Sequence, residues 1–312
     1  MRVAFSPHYS FDLGPHHPFP MGKYRRVYDL LRSEGTVAAH DVLTAPPASG
    51  VDLGRVHTDN YVERFLAGEL TPQEARRLGF PWTPELVRRA LHATGGTMAA
   101  ARAALEDGVS ANLAGGSHHA FADHGEGYCA LHDMAVAIHA LRAEGPARRV
   151  AIIDCDVHQG NGSAALLGSD PLVFTFSIHC QSNYPLHKVP GSRDVGLPDG
   201  VEDGAYLACL EAELDQIWRD FRPQMVYYQG GVDPLAGDRF GRLRLTRDGL
   251  RRRDTAVLHR CVAAGVPVVV VMGGGYSAAP DDTVEAHADT VRAAHALSVG
   301  LPWPPPIPAG QP

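Results

Sequence analysis

The chain has 312 residues, 45% apolar and 20% charged, with a formal net charge of −7. It has ample material for a packed core, no run near the ~18 apolar residues of a membrane span, and no concentrated basic face of the kind a nucleic-acid binder needs. Cys129, Cys155, Cys180, Cys209 and Cys261 stand without a CxxC pair, which fits a reducing cytoplasm better than a disulfide framework.

In chain order, RVAFS reads as a first strand, since no charged leader with a long apolar run precedes it. Ala45 to Gly50 is proline-rich and reads as a surface loop. A helical pattern runs from Pro84 to Leu105 behind Thr83 as its N-cap. The strand-like runs ANLAG, RVAIIDC and LVFTFSI follow, then a helix over Asp203 to Arg219, the strand MVYYQG, a helix from Thr246 to Ala264, and the strand VPVVVVM. Such alternation predicts one α/β domain over residues 1–301, with a central parallel sheet flanked by helices on both faces. Residues 302–312 read as a proline-rich tail. The best basic cluster, Arg251 to Arg253, is expected on the solvated side of its helix, and the acidic balance suggests a surface that tolerates cationic substrates.

Ligands of open parallel sheets sit beyond the carboxyl ends of the strands. The chemically unusual residues gather there: His118 and His119, Asp156 and His158, His179, Asp233, and Tyr276 each follow an apolar run. Asp154, Asp156 and His158 alternate and so share one face of an extended strand. Buried carboxylates are costly unless paired or bound to a cation, and no Lys or Arg lies in Ile152 to Gly168. Asp156, His158 and Asp233 offer two oxygens and one nitrogen with a position left open, the layout of a catalytic zinc site. The alternative, Asp156 as a helix cap and His158 as a turn residue, makes the second aspartate and the tandem histidines coincidental. Asp154, deeper in the strand, supports the site from behind or binds another cation.

In GGSHHA, two adjacent imidazoles can divide the roles of base and electrostatic partner, their pKa values separated by mutual repulsion and by their hydrogen bonds; the plainer alternative is two histidines satisfied by carbonyls. GGGYS lacks the Lys and spacing of a phosphate loop. Its glycines would let Tyr276 swing in and donate to a polarised carbonyl, or the ring packs over the sheet end. No GxSxG elbow or Cys–His pairing argues for a covalent nucleophile. His8, His16, His40, His92, His139 and His259 read as surface or capping residues.

GGSHHA, ADHGEGYC, DCDVHQGNG, TFSIHC, GGVDPLAGDRFGRLRLT and GGGY stand in the order and spacing of the zinc-dependent histone deacetylase superfamily, which the chain resembles from HPFPMGKY to GGGY. HPFPMGKY, LGFPW and HQGNG are most similar to its class IV-like branch, which includes many bacterial deacetylases. The resemblance implies the arginase-deacetylase fold, zinc on Asp156, His158 and Asp233, His119 as general base with His118 beside it, and Tyr276 assisting the metal. It also implies a structural potassium ion on Asp154, Ser177 and the backbone of Asp156, His158 and Ile178. Gly127 and Tyr128 match the pair lining the channel for a lysine stem, with Tyr184 a candidate for the opposite wall. Asn161 stands where class I members carry an aspartate behind the base, leaving His119 a neutral partner. The aspartate that grips the substrate backbone in class I has no counterpart around LGFPW.

The implied reaction is hydrolysis of an acetyl-lysine side chain on a protein or peptide, or of a related acylated primary amine, in the cytoplasm, without nucleic acid or membrane. An acetylpolyamine deacetylase would use the same residues. A two-manganese ureohydrolase needs carboxylates where Gly160, Gly231 and Leu235 stand, and a non-catalytic sensor has no need of ligands, base and tyrosine together. Iron could replace zinc in such a donor set.

Overall fold

The computed structural model describes residues 1–145, 148–301 and 303; the tail expected over 302–312 lies outside them apart from Trp303. In chain order the elements are β1 (Arg2–Phe5), α1 (Lys23–Ser33), β2 (Val42–Thr44), α2 (Gly50–Leu53), α3 (Asp59–Ala67), α4 (Pro72–Leu78), α5 (Pro84–Asp107) and β3 (Val109–Asn112). Then come α6 (Asp133–Glu144), β4 (Val150–Asp154), α7 (Asn161–Leu167), β5 (Val173–Cys180), β6 (Arg193–Leu197), α8 (Asp203–Asp220), β7 (Met225–Gln229), α9 (Arg247–Ala263), β8 (Val268–Val271) and α10 (Pro280–Ser298).

The strands form one sheet in the order β2-β1-β3-β8-β7-β4-β5-β6. Every pairing in it is parallel. β3, β4, β7 and β8 are buried at every residue, as parallel strands covered on both faces must be. The β-branched run VVVV of β8 suits that pleated, fully enclosed environment. α5 packs on α6, while α8, α9, α10 and α1 pack in succession. Thr83 and Thr246 cap α5 and α9 as expected, accepting from the amides of Leu86 and Gly249.

Two strands were not expected. β2 is three residues long, and β6 carries Arg193 and Asp194 on a half-exposed edge. The Arg251–Arg253 cluster is also corrected. Arg252 is exposed, but Arg251 donates to Asp289 at 2.9 Å and Arg253 is 0% exposed. The Arg253 guanidinium pairs with Asp254 at 2.7 Å and donates to the carbonyls of Gly231 (2.5 Å) and Cys155 (3.3 Å). A buried guanidinium is tolerated only with such partners, and here it ties together the two loops that carry Asp233 and Asp156.

Candidate active site

β4 ends at Asp154, so the expected strand column stops there. Asp154 Oδ1 accepts the Asp156 amide at 3.1 Å, which turns the chain and places Asp156 and His158 in the loop leading to α7. His179, expected past a strand, lies inside β5, where its Nδ1 is 3.0 Å from Ser177 Oγ. Ser177 is the register partner of Asp154 across β4 and β5.

The structure brings Asp156, His158 and Asp233 together, with one donor atom from each within 4.8 Å of the others. His158 Nδ1 is 3.0 Å from Asp156 Oδ1 and 3.2 Å from Asp233 Oδ2. Asp156 Oδ2 accepts from the Gly274 amide (2.9 Å) and Gln229 Nε2 (3.1 Å), and Asp233 Oδ1 accepts from the Val157 amide (2.9 Å). Asp233 Oδ2 is buried without a hydrogen-bond partner. Burial and the facing Asp156 charge push Asp233 up to about 7. Two buried carboxylates converging on one imidazole nitrogen, with an oxygen left over, are the donor set that a divalent cation satisfies.

The glycines here are set by space more than by freedom to swing. A Cβ on Gly231 would lie 2.2 Å from Asp156 Oδ2, so no bridging carboxylate for a second metal fits at that position. A Cβ on Gly274 would lie 2.0 Å from Asp233 Oδ2 and 2.7 Å from Asp156 Oδ2. Gly274→Ala is therefore expected to displace both carboxylates and reduce bound metal well below one ion per chain. Metal analysis of the purified variant checks this, and a full metal complement with wild-type turnover would refute it.

His118 Nδ1 is 2.7 Å from Asp154 Oδ2, and its Nε2 is 3.8 Å from Asp156 Oδ1. Burial opposes charge on this ring, but Asp154 and Asp156 outweigh it and push the imidazole up to about 9. His119 goes the other way: burial, then the neighbouring His118 and His158, hold it well below the ordinary histidine value. Its Nδ1 is 2.6 Å from Asn161 Oδ1, while Asn161 Nδ2 donates to Glu126 Oε1 at 2.6 Å. A carboxylate can only accept, so Glu126 fixes the amide with its oxygen toward His119. That makes Nδ1 the proton-bearing nitrogen of His119 and leaves Nε2 with a free lone pair. The neutral partner expected of Asn161 is thus itself backed by a charge.

A cavity of about 610 Å³ reaches His119, His158 and Tyr276 from the surface between Gly127, Tyr128 and Tyr184. Gly127 has φ 56°, and a Cβ there would lie 2.6 Å from His119 Cδ2, so glycine alone leaves the channel open. The Tyr276 ring sits among Phe240, Phe19 and Tyr128, with centroids 4.9, 5.9 and 6.1 Å away. Its backbone is held on both sides rather than left to swing. Asp238 Oδ2 accepts the Tyr276 amide (2.6 Å), Arg239 Nε donates to its carbonyl (2.9 Å), and Lys23 Nζ donates to Gly273 O (2.9 Å). Burial and the charges of Asp233 and Asp156 keep the Tyr276 phenol well above its usual pKa, hence protonated.

A sequence profile of the histone deacetylase domain matches residues 17–293, most of the chain. The chain belongs to the histone deacetylase family. It is 42% identical to an uncharacterized protein of Picosynechococcus sp., over 94% of this chain and 97% of that one. It is 33% identical to the histone deacetylase-like amidohydrolase of Pseudomonas aeruginosa (82% and 71% covered) and 32% identical to histone deacetylase 2 of Arabidopsis thaliana (83% and 70% covered). A crystal structure of a histone deacetylase homolog from Aquifex aeolicus has the same fold, with a TM-score of 0.77 over 96% of this chain and 84% of that one at 23% identity. The arginase-deacetylase fold expected from the motifs is therefore the fold of this deacetylase-family chain. Sequence reasoning missed Glu126, Gln229, Lys23, Asp238 and Arg253, whose places in the site arise from tertiary contacts. Lys23 within HPFPMGKY, Glu126 within ADHGEGYC and Asp238 within GGVDPLAGDRFGRLRLT lay inside motifs already quoted for the resemblance, whereas Gln229 and Arg253 lay outside them.

Proposed function

We propose that the protein hydrolyses N-acyl groups, most simply acetyl, from lysine side chains or related primary amines, with one zinc ion on Asp156, His158 and Asp233. The observation that carries this reading is the orphaned Asp233 Oδ2 in a buried Asp–His–Asp trio at the floor of a cavity flanked by paired histidines and a tyrosine. A divalent cation there supplies Lewis acidity, polarising an acyl carbonyl and easing ionisation of water.

The chain's own groups do the rest. His119, neutral with Nε2 unprotonated, takes the proton of the attacking water, and Asn161 backed by Glu126 stabilises the imidazolium that forms. His118, cationic and anchored on Asp154, faces the developing negative charge and, with protonated His119, returns a proton to the leaving amine. Tyr276 donates to the carbonyl oxygen as it becomes an oxyanion. Gly127, Tyr128 and Tyr184 wall the channel around the amine's stem. Asp154 and Ser177, neighbours across β4 and β5, with the carbonyl of Ile178 and the backbone of Asp156 and His158, are assigned to a potassium ion behind the site. The free cysteines agree with a reducing cytoplasm, and no described helix is long and apolar enough to cross a membrane.

The test is hydrolysis of acyl-lysine peptides and acetylated polyamines by metal-stripped and zinc-restored protein. Zinc-restored turnover of either class supports the reading, and inactivity on both removes it. Tyr276→Phe is expected to keep the fold and the metal while lowering turnover roughly 10²- to 10³-fold, in kcat more than KM, as for one oxyanion donor. Wild-type turnover by that variant with zinc bound would make GGGY a packing element.

A further inference from the structure

The charge of the cavity mouth is opposite to that of the whole chain. Arg76 and Arg77 at the end of α4, and Arg239 and Arg242 in the loop after Asp233, line the opening, and all four are exposed. Among the described residues, no carboxylate lines that cavity, although the chain carries 35 acidic against 28 basic residues. The expectation of a surface tolerant of cationic substrates is therefore wrong where substrate enters.

The carboxylates nearest the mouth are already engaged. Asp238 accepts the amides of Tyr276, Phe240 and Gly241, and Glu126 accepts from Asn161. Asp199 lies 3.3 Å from Arg242 Nη1, the one rim arginine with an acidic partner among the described residues. Arg239 is spent on main-chain carbonyls, of Tyr276 at 2.9 Å and Pro18 at 2.6 Å, which leaves its charge uncompensated. Arg76 and Arg77 form no ion pair among the described residues. Like charges held together at a surface repel and are kept without a stability gain, so their juxtaposition around one opening points to a ligand that neutralises them.

The reacting groups lie at the cavity floor and the arginines at its mouth, so the acyl group does not meet them; the portion bearing the amine does. Resting on the acyl-amine hydrolysis proposed above, we infer that the substrate is an acylated amine whose carrier portion is anionic, with carboxylates beside the acylated nitrogen's stem. Guanidinium groups suit this recognition because they present paired donors in the geometry of a carboxylate. A cationic carrier, such as a polyamine or a lysine-rich tail, meets repulsion at the same rim.

Three acetyl-lysine peptides of equal length, with acidic, neutral or basic flanks, are compared at low and high salt, together with N-acetylputrescine and Nα,Nε-diacetyl-lysine. The acidic peptide is expected to exceed the basic one about tenfold or more in kcat/KM at low salt, the gap closing as salt rises, as expected for electrostatic steering. High kcat/KM on diacetyl-lysine, which carries one carboxylate, would identify small acids as the source of that chemistry; low values there would identify acidic protein segments. In Arg76→Gln/Arg77→Gln, two exposed positions, the ratio of acidic to neutral peptide should fall several-fold. Equal rates on all flanks, or preference for the basic peptide or N-acetylputrescine, overturns the inference while leaving acyl-amine hydrolysis standing. No turnover of any of the compounds overturns both.

Discussion

Asp233→Asn is expected to fold, to lose its metal and to lose turnover with it. The substitution preserves an oxygen for the Val157 amide at the Oδ1 position, so the loop keeps its main anchor. What disappears is the anionic Oδ2, which makes no hydrogen bond and lies 3.2 Å from His158 Nδ1. Removing a donor should weaken metal binding by more than the roughly 10- to 100-fold typical of losing an outer partner. His158→Ala removes the nitrogen shared by both carboxylates and should behave alike. In metal-free wild type, burial and Asp156 raise Asp233 to about 7. Its ionisation therefore destabilises the fold: the penalty is absent below the unfolded value of about 4, grows as pH rises between the two, and is complete above the folded value. Metal-free Asp233→Asn lacks that penalty and should match or exceed metal-free wild type in melting temperature at pH 8. Full metal retention in both variants, or two transition ions per wild-type chain, would refute the assignment of a single ion to this trio.

The second large effect separates the paired histidines. His119→Ala should keep its metal, since the ring's hydrogen bond goes to Asn161 and not to the trio, yet lose roughly 10²- to 10⁴-fold in turnover, the range for one general base. His118→Ala should be less damaging, and its deficit should depend on pH. With Asp154 and Asp156 holding His118 up to about 9, wild type carries a cation there at neutral pH and loses it as pH climbs through that value. A bound metal ion adds positive charge nearby and draws the titration downward, so the two proteins should converge at or below pH 9. Turnover profiles from pH 6 to 10 measure this. If His118→Ala is the more inactive protein throughout, the roles of the two imidazoles are exchanged.

The interior strands were legible because parallel strands enclosed on both faces read as near-continuous apolar runs, as VAII in β4 and VVVV in β8 do. β2 and β6 were not, because short, half-exposed edges carry little hydrophobic signal. Asp156, His158, Asp233 and the histidine pair stood out as ionisable groups following apolar runs. Glu126 and Gln229 are ordinary polar residues whose importance comes from reaching Asn161 and Asp156 across the fold. Arg253 did carry a signal. It shares the stripe of Leu250, Val257 and Cys261 at helical spacing, so its position marked it as inward-facing while its residue type suggested the reverse. The sign of the mouth could not come from net charge, which sums over a surface that substrate never meets.

β8 sits between β3 and β7, although it is the last of the described strands in chain order. Before β8 is made, the other strands can pair only as two separate pieces, β2-β1-β3 and β7-β4-β5-β6, each with an unsatisfied edge where β8 will insert. The arrival of VVVV joins them and brings Gly274 to Asp156 and Gly273 to Lys23 in the same event. A ribosome-bound chain lacking this strand holds its histidines and aspartates without the loop that orders them, so catalytic competence arrives late and all at once. The open edges before that moment are the interval in which the nascent chain is most exposed to aggregation and most dependent on chaperones.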